Sequence, residues 1–352
     1  MSDAVPFDAK RFNSTFRQVL DEAARIVVGQ EHVEEQLLLA IFGGGHVLLT
    51  GMPGLGRTLL VKSLAQIMGL DYRRIQFTPD LLPTDIVGTE VLEHKAGDSE
   101  RRFHFFKGPV FANLVLADEI NRSPPRTQSA LLELMQERQV TTGGQTRFLP
   151  KPFILIATQN SLDNEGIWSL GEAQADRFMM CIEQKYPGED AEARMLAQTT
   201  GAEKLLPRQV TDAETVLVMQ AFARDVPVVP SVKAFALALA RASRPGKVNS
   251  AKVNADVRLG ASPRAAQAML AAGKVLALAR GRQHVTRQDI VEVARPVLNH
   301  RVLMNARAQA QGRDSSAIVE AVLAEVERRA VPSVSTWTRA LLKQRDEAGA
   351  NS

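Results

Sequence analysis

Cysteine is almost absent from this chain. Cys181 is the only one in 352 residues, so no disulfide can form within it and a reducing compartment is the expected setting. It lies in Phe178-Met179-Met180-Cys181-Ile182, which reads as a buried strand and makes the thiol a packing group, not a nucleophile. The six histidines are scattered without metal-ligand spacing, which argues against a zinc or iron site. No apolar run approaches the ~20 residues that span a bilayer, and Met1 to Lys10 lacks the charged start and apolar core of a signal peptide. These absences predict a cytoplasmic protein without direct membrane insertion. An excess of one charge is missing too: the formal net charge of +4 is small and dispersed, so nucleic acid is not the expected partner. What is present is 45% apolar content, enough for a sizeable core, over a length that suits two or three domains.

Helical periodicity marks residues 13–26 and 30–42, the second with Val33, Leu37, Leu38 and Ile41 on one side. Buried-strand runs follow at 46–50, 72–77, 114–117, 153–157 and 178–182, alternating with helices such as 58–68 and 127–138. That alternation predicts a three-layer α/β domain with a parallel five-stranded sheet. Between Pro79 and Pro109, a short helix near 82–87 precedes the strand-like runs Glu90-Val91-Leu92-Glu93 and Arg102-Phe103-His104-Phe105. Lys95-Ala96-Gly97-Asp98-Ser99 joins them, which reads as a projecting hairpin, and a second hairpin turns at Gly143-Gly144. From about residue 206 strand signals vanish. Helices are expected at 211–223, 231–243, 263–279, 286–297 and 315–329, forming a separate all-α domain. The basic Arg244 to Arg258 stretch reads as a mobile loop.

The densest chemistry lies in His46-Val47-Leu48-Leu49-Thr50-Gly51-Met52-Pro53-Gly54-Leu55-Gly56-Arg57-Thr58-Leu59, an apolar strand running through a glycine-rich turn into a helix. Gly51 and Gly56 fit the frame of a phosphate-binding loop, in which backbone N–H groups close around a polyphosphate at a helix N-terminus. Thr58 falls where a hydroxyl would ligate Mg²⁺. Arg57 stands where that frame has lysine. Lys62 does not replace it, because five residues along a helix is about 140° around it. Asp118-Glu119 ends a buried strand some sixty residues later, where one acid can hold Mg²⁺ and its neighbour can polarise a water against a γ-phosphate. Thr158-Gln159-Asn160 ends another buried strand at the same carboxyl-end crevice, so Asn160 is a candidate for orienting that water.

Taken with these, several further runs resemble the MoxR family of AAA+ ATPases. They are Gln76-Phe77-Thr78-Pro79-Asp80-Leu81-Leu82-Pro83-Thr84-Asp85, Leu116-Ala117-Asp118-Glu119-Ile120-Asn121-Arg122-Ser123-Pro124-Pro125, Met135-Gln136-Glu137-Arg138, Glu172-Ala173-Gln174-Ala175-Asp176-Arg177-Phe178 and Gly260-Ala261-Ser262-Pro263-Arg264. The resemblance covers about residues 16 to 330. It implies an αβα nucleotide-binding core over 1–205, with a helix-2 insert at about 86–108 and a pre-sensor hairpin at about 139–150. A helical lid over 206–335 and a tail over 336–352 follow.

The resemblance also implies ATP and Mg²⁺ as cofactors, held by the Walker A loop (Gly51, Pro53, Gly54, Leu55, Gly56, Arg57, Thr58, Leu59) and by Asp118. It implies Glu119 as catalytic base, Asn160 as sensor 1, Arg177 as an arginine finger acting on a neighbouring protomer and Arg264 as sensor 2. A finger acting in trans requires a homo-oligomeric ring, in this family commonly a hexamer. The implied activity is chaperone-like remodelling of a client, with a von Willebrand factor A protein as adaptor; nothing in the chain identifies the client. Two features depart from the pattern. Arg57 replaces the Walker A lysine and is expected to slow hydrolysis more than nucleotide binding, which leaves a nucleotide-binding scaffold as the alternative. Trp168-Ser169-Leu170-Gly171 replaces a Tyr-Pro-Leu-Pro-like run and is expected to loosen the loop leading to Arg177. A nucleic-acid motor is a third reading, since the lid loop holds Arg244, Lys247, Lys252 and Arg258. The hairpins lack the basic and aromatic stripe it would need.

Overall fold

Burial on both faces singles out the central strands: Leu114–Asp118 and Ile154–Thr158 are apolar almost throughout, as parallel strands covered by helices must be. In a computed structural model that describes residues 7–93, 102–159, 168–200, 205–247 and 250–328, the elements run as follows. First come α1 (Ala9–Ile26), α2 (Glu31–Phe42), β1 (Val47–Gly51), α3 (Arg57–Ile67), β2 (Tyr72–Gln76), α4 (Pro83–Val87), β3 (Gly88–Glu93), β4 (Arg102–Lys107) and β5 (Leu114–Asp118). Next are α5 (Pro125–Glu137), β6 (Gln139–Thr142), β7 (Gln145–Phe148), β8 (Ile154–Thr158), α6 (Glu172–Ala175), β9 (Met180–Gln184) and α7 (Glu189–Thr200). The remainder is α8 (Ala213–Asp225), α9 (Pro230–Ala242), α10 (Ala251–Asp256), β10 (Val257–Leu259), α11 (Pro263–Ala279), α12 (Arg287–Leu298), β11 (Leu303–Met304), α13 (Ala306–Ala310) and α14 (Ser315–Arg328). By internal contacts the chain divides into one unit spanning Ser14–Ala221 and another comprising Phe222 onward with Asp8–Asn13.

The first unit holds a five-stranded, all-parallel sheet in the order β2-β5-β8-β1-β9. This order brings the carboxyl ends of β1, β5 and β8 together at the middle of the sheet, where open α/β sheets bind ligands. β2, at one edge, is more polar than the strands beside it, with Arg73 and Arg74 exposed. Cys181, on β9, is half-buried instead of fully enclosed, and its sulfur lies 3.8 Å from Thr50 Oγ1.

Both expected hairpins are antiparallel pairs, β3 with β4 and β6 with β7; the turn of the first lies outside the described residues. They are fastened together. Arg147 on β7 places its guanidinium carbon 4.0 Å from the centre of the Phe105 ring and approaches Glu90 Oε1 at 3.4 Å, and Glu90 faces Phe105 across the β3–β4 ladder.

The second unit is helical: α9, α11, α12 and α14 bury Phe235, Leu239, Met269, Leu276, Ile290, Val297 and Val322. The N-terminus of α12 shows how locally the sequence dictates this. Thr286 caps the helix by accepting from Asp289 N at 3.3 Å, and Asp289 returns the bond to Thr286 N at 2.8 Å. The fully buried Asp289 is then neutralised by Arg282 at 2.5 Å, which holds its carboxyl below the usual range against the opposing push of burial.

Two expectations need correction. Arg244 to Arg258 is not wholly a loop: α10 and the start of β10 form within it, because Val253 is buried and Asp256, 4% exposed, is gripped by Arg313 at 2.7 Å. That grip spans distant positions and leaves no periodic trace. α7 was not anticipated because Ala191 is its one buried residue among those described, so it has no apolar stripe to read. The tail over 336–352, with Trp337, Leu341 and Leu342, lies outside the described residues.

Among the described residues of the first unit, two titratable groups, His46 and Glu34, are buried. His46 Nδ1 accepts from Leu155 N at 3.0 Å, so Nε2 carries the proton and donates to Met135 O at 3.3 Å; burial pushes its pKa down to about 4. Glu34 on α2 is fully buried with no hydrogen-bond partner on either carboxylate oxygen, and burial pushes its pKa up to about 8. The two act in opposite senses. His46 withdraws stability as pH falls from 6.5 toward 4, and Glu34 withdraws it as pH rises from 4.5 toward 8. Of the pair, only Glu34 acts between pH 6.5 and 8, with a limiting slope of about 1.4 kcal/mol per pH unit for one proton. Thermal unfolding of Glu34→Gln should therefore fall less steeply with pH across that window than unfolding of the native protein; parallel pH profiles would show that Glu34 is already ionised when folded.

Candidate functional site

The glycine-rich turn after β1 follows from two backbone demands. Gly51 has φ 126°, and a Cβ there would sit 2.1 Å from the carbonyl oxygen of Gln184, so β9 can close on the loop only past a glycine. Gly56 has φ 72° and opens α3, whose first residue is Arg57. At Gly54 and Gly56 an added Cβ would meet nothing within 4 Å, so the turn forms an open cradle of backbone at a helix N-terminus, the arrangement that receives phosphate. Pro53 and Leu59 are exposed beside it, Leu55 and Thr58 half-buried.

Arg57 is bound on all three guanidinium nitrogens. Its Nε donates to Gln184 Oε1 at 3.2 Å, Nη1 to Gln159 O at 3.2 Å and Nη2 to Met52 O at 3.1 Å. Gln184 is itself tied to the turn through Nε2 to Leu55 O at 2.8 Å. Burial pushes the Arg57 pKa down, opposed by the negative charges of Asp118 and Glu119.

The carboxylate pair sits at the end of β5. Thr158 on β8 donates to Asp118 Oδ1 at 2.6 Å and accepts from Glu119 N at 2.8 Å, so one hydroxyl orients both residues. Arg74 on β2 grips Asp118 Oδ2 from Nε at 2.9 Å and Nη2 at 2.6 Å, and it also donates to Gln76 Oε1. Gln76 passes the contact on, donating to Glu119 Oε2 at 2.9 Å, where Arg122 also arrives at 3.1 Å. Glu119 has φ 58°, a left-handed backbone in a non-glycine residue; such strain gathers at functional sites. Because Thr158 bonds the Asp118 carboxylate and the Glu119 backbone N–H, and the carbonyl of the next residue, Gln159, accepts from Arg57, the end of β8 links turn and acid pair into one site.

The donor set fits a hard divalent cation. Thr58 offers a hydroxyl in the first turn of α3 and Asp118 a carboxylate oxygen, both ligands that Mg²⁺ accepts beside phosphate oxygens and water. Two adjacent carboxylates at a buried strand end also have charge to share with it. Among the described residues no cluster of three or more His, Cys, Asp or Glu forms a metal site. No described helix is long and apolar enough to cross a membrane.

The remaining candidates are placed as follows. Asn160 lies outside the described residues, one position beyond Gln159. Arg177 belongs to the first unit, half-buried, and donates from Nη1 to Leu132 O at 2.7 Å. Arg264 belongs to the second unit, exposed in the first turn of α11, where its N–H donates to Ser262 Oγ at 3.1 Å. The Trp168-Ser169-Leu170-Gly171 run, expected to loosen the approach to Arg177, is hydrogen-bonded at its two ends. Trp168 N donates to Asn121 O at 2.8 Å and its carbonyl accepts from Gln128 Nε2 at 3.2 Å. Gly171 N is held by Gln174 Oε1 at 2.9 Å.

Arg74, Gln76, Thr158 and Gln184 were not singled out from sequence. A signal existed for the first: Arg73-Arg74 interrupts an otherwise strand-like run, which suits a sheet edge facing a charge. Gly51→Ala should lower thermal stability by more than the about 1 kcal/mol typical of a point substitution, because the contact is with backbone and the φ is wrong for alanine. An unchanged melting temperature would show that β9 can yield.

The site and fold have counterparts among known proteins. Residues 46–180 match the family model described as "ATPase family associated with various cellular activities (AAA)", and residues 250–322 match an AAA lid domain. The chain is 40% identical over 322 residues to the protein named Chaperone MoxR1 of Mycobacterium tuberculosis, covering 91% of this chain and 83% of that one. It is 30% identical over 301 residues to Protein MoxR of Methylorubrum extorquens, covering 80% and 86%. A crystal structure of a candidate ATPase from Cytophaga hutchinsonii superposes with a TM-score of 0.83 at 39% identity, covering 90% of this chain and 96% of that one. With its parallel αβα core, its helical lid and these relatives, the chain belongs to the MoxR family of AAA+ ATPases.

Proposed function

We propose that this protein binds ATP with Mg²⁺ at the Gly51–Leu59 turn and hydrolyses it to remodel or activate a partner protein, in the manner of a chaperone and as a homo-oligomeric ring. The carrying observation is the Asp118–Glu119 pair, bound to Thr158 one residue from the Gln159 carbonyl that anchors Arg57. In this reading Thr58 and Asp118 would hold Mg²⁺, which would supply charge to screen the phosphates. Glu119 takes a proton from the attacking water, released for that task from Gln76 and Arg122. Asn160 orients the water, and Arg264 is the proposed sensor 2. Arg177 leaves its bond to Leu132 O and reaches nucleotide held by the adjacent protomer. That last role makes a ring, hexameric by family habit, a requirement of catalysis. A von Willebrand factor A protein is the proposed adaptor; the client is a protein or complex that the chain does not specify.

Arg57 favours a second reading, a nucleotide-gated scaffold with little turnover. A lysine ammonium moves freely on its stem, whereas this guanidinium already serves three acceptors. Steady-state ATP hydrolysis separates the two. For the ATPase, native turnover should exceed that of Glu119→Gln by about 10²–10⁴, the usual worth of a positioned general base. For the scaffold, native protein and Glu119→Gln should hydrolyse equally slowly while binding ATP, and Arg57→Lys should gain turnover.

The trans role of Arg177 has its own test. Arg177→Ala and Glu119→Gln should each be inactive alone but recover part of the activity when mixed, since a mixed ring pairs an intact base with an intact finger. No recovery in rings shown to exchange subunits would place Arg177 outside the neighbour's site.

A further inference from the structure

Gln184 has no role in the reaction as proposed, yet both polar atoms of its side chain are committed at the turn. It is 1% exposed, ends β9, and faces Gly51 across the β1–β9 ladder. Its amide orientation is not free. Nε2 must donate to Leu55 O, so Oε1 is the atom left for Arg57 Nε, and a flipped amide would set donor against donor and acceptor against acceptor.

We propose that Gln184 is a positioning residue that holds the Arg57 guanidinium on the carbonyls of Met52 and Gln159, and that the site consequently binds nucleoside diphosphates and triphosphates with nearly equal affinity. This rests on the nucleotide-binding reading of the turn and extends it to specificity. The geometry is direct. Guanidinium has five N–H donors, and three are spent: the single hydrogen on Nε and one each on Nη1 and Nη2. Only two remain, in a plane already fixed by bonds to three separate strand ends: Met52 after β1, Gln159 after β8 and Gln184 on β9. A lysine at this position follows the β and γ phosphates on a flexible stem and so rewards the γ-phosphate. Arg57 can do the same only by abandoning three acceptors, one of them the carbonyl of a residue inside the turn itself. Its charge is therefore shared between di- and triphosphate states instead of being reserved for one.

The test is equilibrium binding of fluorescent ATP and ADP in a Glu119→Gln background, which prevents turnover, read as the ratio of the two dissociation constants. With Arg57 and Gln184 intact the ratio should lie within about threefold of unity. Gln184→Leu keeps the volume but removes the acceptor for Nε, and should shift the ratio several-fold toward ATP. Gln184→Glu keeps an acceptor for Nε, now charged, while giving up the donor to Leu55 O, and should not shift the ratio toward ATP. Arg57→Lys should show the largest preference for ATP, about tenfold or more. A Gln184→Leu variant that merely loosens the fold lowers both affinities and leaves the ratio unmoved, which would overturn the proposal. So would a preference for ATP of about tenfold in the protein with Arg57 and Gln184 intact. Failure of every form, Arg57→Lys included, to bind either nucleotide would instead overturn the reading of the turn as a nucleotide site.

Discussion

Two carboxylates on consecutive residues at the mouth of a buried strand are unfavourable unless positive charge and hydrogen bonds meet them, and much of the site is arranged around that constraint. Asp118 and Glu119 leave β5 where the sheet order places β8 on one side and β2 on the other. From β8 comes the Thr158 hydroxyl; from β2 come Arg74 and Gln76. The left-handed backbone at Glu119 turns its carboxylate toward Gln76 and Arg122 while leaving its N–H on Thr158.

The same strand ends explain why Arg57 behaves as it does. Acceptors from β1, β8 and β9 converge beneath the turn, and a planar group with five donors satisfies several at once where an ammonium would rotate among them. The substitution thus exchanges a mobile charge for a brace. It ties together strand ends that are distant in sequence and neighbours only in the folded sheet.

The core sheet, most of its helices and both hairpins were legible because each depends on local information: apolar runs bounded by turns, or glycine where φ is positive. The parallel direction of the strands was legible too, since alternation of strand and helix leaves few alternatives. What escaped depended on contacts between distant positions. Asp256 and Arg313 are 57 residues apart and stabilise a short helix in a stretch that reads as loop. Trp168 differs from the family pattern in its side chain but is secured through its backbone. Gln184 looks like the polar end of a strand until Gly51 and Leu55 are seen against it. The candidate site was legible in its acids and its turn, and illegible in the neighbours that hold them.

β2 carries one more consequence. It lies at an open side of the sheet, where unpaired backbone groups invite a strand from another molecule and where soluble proteins place charge to discourage it. Arg73 and Arg74 supply that charge, and the salt bridge to Asp118 leaves Arg74 partly exposed. Arg74 therefore serves twice, as part of the charge along the β2 edge and as the counter-charge of Asp118, so a substitution at position 74 alters both at once.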